Sequence, residues 1–215
     1  MTNSSNDALT AAVAKIRSED VMAQNEGVAE LIQIGATAVP VLLPLIDEVA
    51  SIRAQAMYAL SRIADPGTSE ALKRGLQDND DRVRAYAAEG LARIGHPDAV
   101  SACIRMINDA PDILHGDLTP CVTALAEMGL IAVPALLDLM MHEDEITRLH
   151  AQRALEMNLS RRHGFRGGQG FPSPAAEQQA RAEWQANGNY DYAADAAARQ
   201  AAVEKWRQWL SAQPR

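Results

Sequence analysis

Aromatic side chains make up only 4% of the 215 residues, and the chain holds just two cysteines. So few aromatics beside so much alanine and leucine disfavour β-structure, which prefers aromatic and β-branched side chains, and favour helices packed through small side chains. Cys103 and Cys121 are too few, and too far apart, for a disulfide framework or a zinc site. Both are expected as buried core thiols. Basic residues are also scarce: 20 Lys and Arg stand against 28 Asp and Glu, a net charge of −8. That balance argues against a sequence-independent grip on nucleic acid, which draws on clustered cations. The opening "MTNSSNDALTAAVAKIRSED" lacks a basic lead followed by an apolar stretch, and the longest apolar run is "AVPVLLPLI" at 38–46. Both read against a secretory signal and against membrane insertion, so a cytoplasmic location is expected.

What the chain does have is recurrence. The pattern Leu-x-x-[Ile/Met]-[Gly/Ala] appears as "LIQIG" at 31–35, "LSRIA" at 60–64, "LARIG" at 91–95 and "LAEMG" at 125–129, with a degenerate copy from Leu155. The leading leucines are 29, 31, 34 and 30 residues apart. Such periods mark stacked helical hairpins. Gly35, Gly95 and Gly129 stand where a helix wants a left-handed cap, and Pro66 and Pro97 follow two residues after their cap position. Seven residues before the repeat leucine, three copies carry Arg53, Arg84 and Arg148, while the fourth has Leu118. Ala56, Ala87 and Ala151 lie three residues after those arginines, and Ala59, Gly90 and Ala154 six after. Helical geometry puts these small residues on the packed side with the repeat leucine. The arginines fall there too, near a helix start, and are expected to form a structural ladder with acids such as Asp80 and Asp81.

The stretch "DDRVRAYAAEGLARIGHPDAV" and the paired "AVPVLLPL" and "AVPALLDL" helices resemble the HEAT-repeat family. The resemblance is to its short variety, named after phycobilisome lyases. It implies an all-α, right-handed solenoid of about five helical hairpins over residues 7–160, with an irregular capping repeat first. It also implies that the second helix of each hairpin lines a concave inner surface.

On those helices the offsets opposite the packed side hold Gln55, Tyr58 and Arg62, then Tyr86, Glu89 and Arg93. They continue with Pro120, Thr123 and Glu127, and with His150, Arg153 and Met157. Tyrosine and arginine are favoured anchors at protein interfaces, so this stripe is the candidate site for another protein held in the groove. His150 is expected as a surface histidine. Di-iron hydroxylases among HEAT-repeat proteins carry His-Glu pairs just after the arginine slot. Here those positions hold Ala54-Gln55, Ala85-Tyr86, Thr119-Pro120 and Leu149-His150. No catalytic residue, metal site or cofactor is therefore expected. The leading expectation is a noncatalytic adaptor or assembly factor. The resemblance to phycobilisome lyases supplies the alternative, a bilin (tetrapyrrole) lyase or chaperone-like subunit.

The fourth repeat carries its extra length in "NDAPDILHGDLTP", a loop with His115 and Asp117 as minor site candidates. From Arg161 the repeat ends. A glycine-rich loop at 161–174 leads into an aromatic-rich segment at 175–212, which resembles the C-terminal extension of many bacterial HEAT proteins. Phe165, Phe171, Trp184, Tyr190, Tyr192, Trp206 and Trp209 all lie beyond residue 160. Val203, Trp206 and Leu210 share one helical face, expected to cap the last hairpin. Trp209, off that face, is the candidate partner contact of the tail.

Overall fold

Short polar side chains start half of the α-helices. Asp20, Asp80, Asp144 and Asp195 each accept a hydrogen bond from a backbone N–H of the first turn, and Thr119 and Ser173 do the same. Each satisfies one of the four amides a helix start leaves unbonded. The computed structural model describes the backbone of residues 2–213 and the side chains of residues 6–213. Among these the fold is all helix, apart from one isolated bridge between Arg166 and Gly170.

The chain forms two compact units, residues 1–102 and 103–215. In the first, α1 (Thr2–Ile16) pairs with α2 (Val21–Ile34). Next come α3 (Val39–Leu42) and α4 (Ala50–Ile63), then α5 (Ser69–Gly75) and α6 (Asp81–Arg93). The unit boundary falls inside α7 (Ala99–Arg105). The second unit holds α8 (Pro120–Glu127), α9 (Val133–Leu139), α10 (Glu145–Arg162), α11 (Pro174–Ala186) and α12 (Ala196–Ser211). After α1 the first helices are short, because Pro40, Pro44 and Pro66 open or interrupt them with tight 3-10 turns. Second helices are longer, and α2, α4 and α6 pack in sequence, as α8 does on α10.

The repeat leucines Leu31, Leu60, Leu91, Leu125 and Leu155 are all buried, as are the small residues behind the arginines. At Gly90 a Cβ would stand 2.6 Å from Leu72 Cδ2 and 3.3 Å from Ser61 Cα, so α4 and α6 approach as closely as they do only because the residue is glycine. Three repeat ends place glycine at positive φ, with Gly35 at 75°, Gly95 at 69° and Gly129 at 66°. The remaining end places Ala64 in the left-handed region at φ 54°, where a Cβ is strained.

By length and composition, Val21–Asp47 is apolar enough to cross a membrane, which the run at 38–46 read alone did not reveal. It is folded as α2, the turn at Gly35 and the proline-interrupted α3 segment, with Leu31, Leu42 and Leu45 buried in the first unit.

Candidate functional site

In the first unit, the stripe residues of α4 and α6 come together. The rings of Tyr58 and Tyr86 lie 5.0 Å apart, tilted by 56°. Both are partly buried, and burial raises the Tyr86 phenol above its ordinary pKa, with the neighbouring Tyr58 next in effect. Glu89, one turn beyond Tyr86, is buried rather than presented to solvent, a correction to the stripe as read from spacing. The physical reason is its pairing. Its Oε1 accepts from Arg93 Nε at 3.0 Å and Nη2 at 2.8 Å, and Arg62 Nη1 lies 3.5 Å away. Ser61 Oγ, which donates to the Tyr58 carbonyl, lies 3.4 Å from Glu89 Oε2. One fixed carboxylate thus holds two guanidinium groups beside a tyrosine pair. Two guanidinium groups on one carboxylate leave a local balance of one positive charge. Gln55 lies one turn before Tyr58, half-buried.

In the second unit the corresponding residues are spent on internal contacts. His150 is 1% exposed, so it is not the surface histidine expected from its phase. Its Nδ1 is 2.7 Å from Asn108 Oδ1 and its Nε2 is 2.9 Å from the Gly116 carbonyl. The loop of the fourth repeat covers it and is tied down by it. The chain continues from Asn108 Nδ2 to Thr147 Oγ1 at 2.8 Å and from that hydroxyl to Asp144 at 2.6 Å. Arg153 pairs with Asp117 at 3.1 Å, and Glu127 with Arg161 at 2.8 Å. Thr123 is half-buried on α8. His115 stays in the loop, 3.2 Å from Asp112.

Arg53 makes the expected tie to an acid of the next hairpin, and that acid is Asp78. Arg53 donates to the Glu48 carbonyl at 2.8 Å and to both oxygens of Asp78 at 2.8 and 2.9 Å. Hydrogen bonds from Arg53 hold the Asp78 carboxyl below its ordinary range, against the opposing effect of burial. Asp80 is not its partner, because its carboxylate caps α6 and pairs with Arg82 at 2.7 Å. Arg84 donates to the carbonyls of Asp78 and Asn79, and Arg148 to those of His142 and Glu143. Each arginine therefore closes the loop that precedes its own helix. The outer edge of Arg53 reaches the next hairpin. That of Arg148 reaches the Tyr192 carbonyl at 2.9 Å, in the turn between α11 and α12.

That turn and α12 cover the last hairpin. Tyr190 is buried and donates to the Met140 carbonyl at 2.5 Å, and its phenol is pushed up to about 12 by burial. Gln152 accepts from the Tyr192 amide at 2.9 Å. Trp206 is fully buried between Trp184 and Trp209, with ring centroids at 5.3 and 5.1 Å. Val203 is buried with it, while Leu210 is only partly covered. Trp209 is engaged within the unit: its Nε1 donates to Glu183 at 2.5 Å and Arg162 stacks over its ring at 5.0 Å. Sequence reasoning missed Asn158, buried on α10, whose amide donates to the Gly129 carbonyl at 2.9 Å. A polar side chain on a packed face was the available signal.

Among the described residues, no group of three or more His, Cys, Asp or Glu is placed to hold a metal ion. Both cysteines are buried. No curated protein matches the chain. Among solved structures, an engineered protein aligns over 94% of this chain and 97% of its own at 20% identity and a TM-score of 0.46. A second engineered protein aligns over 93% and 98% at 21% identity and 0.43. The CpcE–CpcF complex of phycocyanin lyase from Nostoc sp. PCC7120 aligns over 93% and 98% at 21% and 0.41. The family model of HEAT repeats matches residues 69–156, from α5 into α10, and that stretch of the chain is a run of HEAT repeats.

Proposed function

We propose that this protein is a noncatalytic, cytoplasmic adaptor that binds another protein on the face of α4 and α6. One observation carries the reading: Tyr58 and Tyr86 form a tilted aromatic pair beside Arg62 and Arg93, both held by the buried Glu89. Tyrosine and arginine dominate interface hot spots, and a fixed pair loses little conformational freedom on binding. A HEAT-repeat fold is consistent with a protein-interaction scaffold. Nucleic acid is a poor candidate, because the chain carries a net charge of −8 and the local excess of the cluster is a single positive charge.

The test is affinity purification from the native cell, followed by binding measurements with the identified partner. Tyr58→Ala with Tyr86→Ala is expected to weaken binding at least about tenfold, with the helix content unchanged. Retained affinity in the double variant sinks the proposal. Visible absorbance by the purified protein, removed by the same substitutions, favours the tetrapyrrole reading instead.

A further inference from the structure

The α4–α6 face has two halves of different chemistry. One is the tyrosine platform, with ring centroids 5.0 Å apart. The other is Glu89 under its two guanidinium groups, and exposure ranks the three: the Arg62 side chain is 40% exposed and that of Arg93 26%, against 8% for Glu89. A ligand arriving from solvent therefore meets the cations before the anion. The cations are held unequally. Arg93 donates through Nε and Nη2 at 3.0 and 2.8 Å, whereas Arg62 Nη1 approaches the same oxygen only to 3.5 Å. Arg62 is thus the group that can turn to a second carboxylate while Arg93 keeps Glu89 neutralised.

The neighbouring charges leave that excess in place. Arg82 is balanced by Asp80 at 2.7 Å, and with Asp81 they lie at the other end of α6, about 16 Å or more along its axis from Arg93 and beyond the ~8 Å screening length of physiological salt. Past the ends of the two helices, Asp65 is turned to the Gly67 amide at 2.7 Å and Asp98 lies 3.8 Å from His96. Tyr58 precedes Arg62 by one helical turn, about 6 Å along the axis. Side chains two apart in an extended segment share a face at a similar spacing, about 7 Å. We propose that the face takes an extended segment of a partner protein in which one carboxylate, set between Arg62 and Arg93, stands two residues from an apolar side chain laid on the rings of Tyr58 and Tyr86. The proposal rests on the α4–α6 reading and adds the chemistry of what binds there. A lone carboxylate fits where an acidic run does not, because the excess is one charge on a chain at −8.

The probe is a random peptide library displayed on phage and selected on the purified full chain, with the affinity of each selected peptide then read by fluorescence anisotropy. Peptides that lose binding to the Tyr58→Ala, Tyr86→Ala double variant are expected to share an Asp or Glu two residues from an apolar side chain. Arg62→Gln changes a side chain at the surface and should keep the parent melting temperature, yet weaken these peptides about tenfold. Replacing the peptide's acid by its amide should cost the same against the parent and nothing further against Arg62→Gln. Tyrosine-dependent peptides without a shared acid, or an acid-to-amide loss equal in parent and variant, overturn this inference and leave the α4–α6 face standing. Selected peptides indifferent to the tyrosine substitutions, or none selected at all, overturn both.

Discussion

The two units solve one problem with opposite materials. In the first, successive second helices α2, α4 and α6 pack through alanine, glycine and leucine, and the aromatics of that unit, Tyr58 and Tyr86, are only partly buried. In the second, two aromatics go fully inside, Trp206 and nearly so Tyr190, and Trp184 and Trp209, partly covered, pack against Trp206. A repeat meets a copy of itself, so small residues at fixed offsets bring regular helices close. The last hairpin meets α11 and α12, which do not repeat it, and the irregular gap is filled by large rings. Arg53 and Arg148 make the contrast local. In the same repeat slot, one reaches a carboxylate of the next hairpin and the other a carbonyl of the cap.

The sharpest way to break this contrast is Trp206→Ala, expected to cost about 3–5 kcal/mol in urea unfolding because a fully buried ring is removed from a packed site. Trp206→Phe should cost clearly less. It keeps an aromatic ring and removes an indole N–H that finds no hydrogen-bond partner among the described residues. Equal losses from the two substitutions would show that the cluster depends on indole shape rather than on filled volume.

Arg148→Met comes next. It strands the carbonyls of His142, Glu143 and Tyr192 on a side chain only 8% exposed, for an expected loss of about 1–3 kcal/mol. Faster hydrogen exchange at the 190–192 turn should accompany it. No change there would mean that Tyr190 and Gln152 hold the cap without the ladder.

Ala64→Gly runs the other way. Glycine relieves the strain of φ 54° that Gly35, Gly95 and Gly129 avoid, for a gain of about 1 kcal/mol at the second repeat end. An unchanged or lower melting temperature would show that the unfolded chain's added freedom outweighs the relief.

The smallest expected effect is a difference in acid response. Asp78 has a folded pKa lowered from 3.8 by Arg53, so its contribution to stability is complete above the unfolded pKa. That contribution is lost as pH falls through the folded value. The carbonyls that hold Arg148 do not titrate. Asp78→Asn should therefore flatten the acid limb of the stability curve, whereas Arg148→Met leaves the slope of that limb unchanged. If Asp78→Asn leaves the limb as steep as before, other carboxylates set it.

The repeat leucines, the small residues behind Arg53, Arg84 and Arg148, and the helix ends were legible because each is fixed by the period of one helix against its neighbour. The site was legible only in part. Spacing put Glu89 and His150 on the stripe expected to line the groove, yet one lies under two arginines and the other under the loop of its own unit. A helical wheel gives direction relative to the helix axis, and carries no information about a loop or side chain arriving from elsewhere in the sequence. The same limit applied to Trp209, whose phase pointed away from the buried face while Glu183 and Arg162 came to meet it.

The sequence by itself determined that the chain is all helix, that its hairpins recur at about thirty residues, and which side of each second helix is packed. These are local periodicities, and helical geometry converts them directly into faces. Only the tertiary structure decided that the acid paired with Arg53 is Asp78, that the turn at Tyr190 and Tyr192 seals the last hairpin, and that Tyr58 and Tyr86 touch while Ile113 and Leu114 stand free. Those outcomes depend on which distant atoms compete for the same hydrogen bonds and the same space, and no period in the chain encodes that competition.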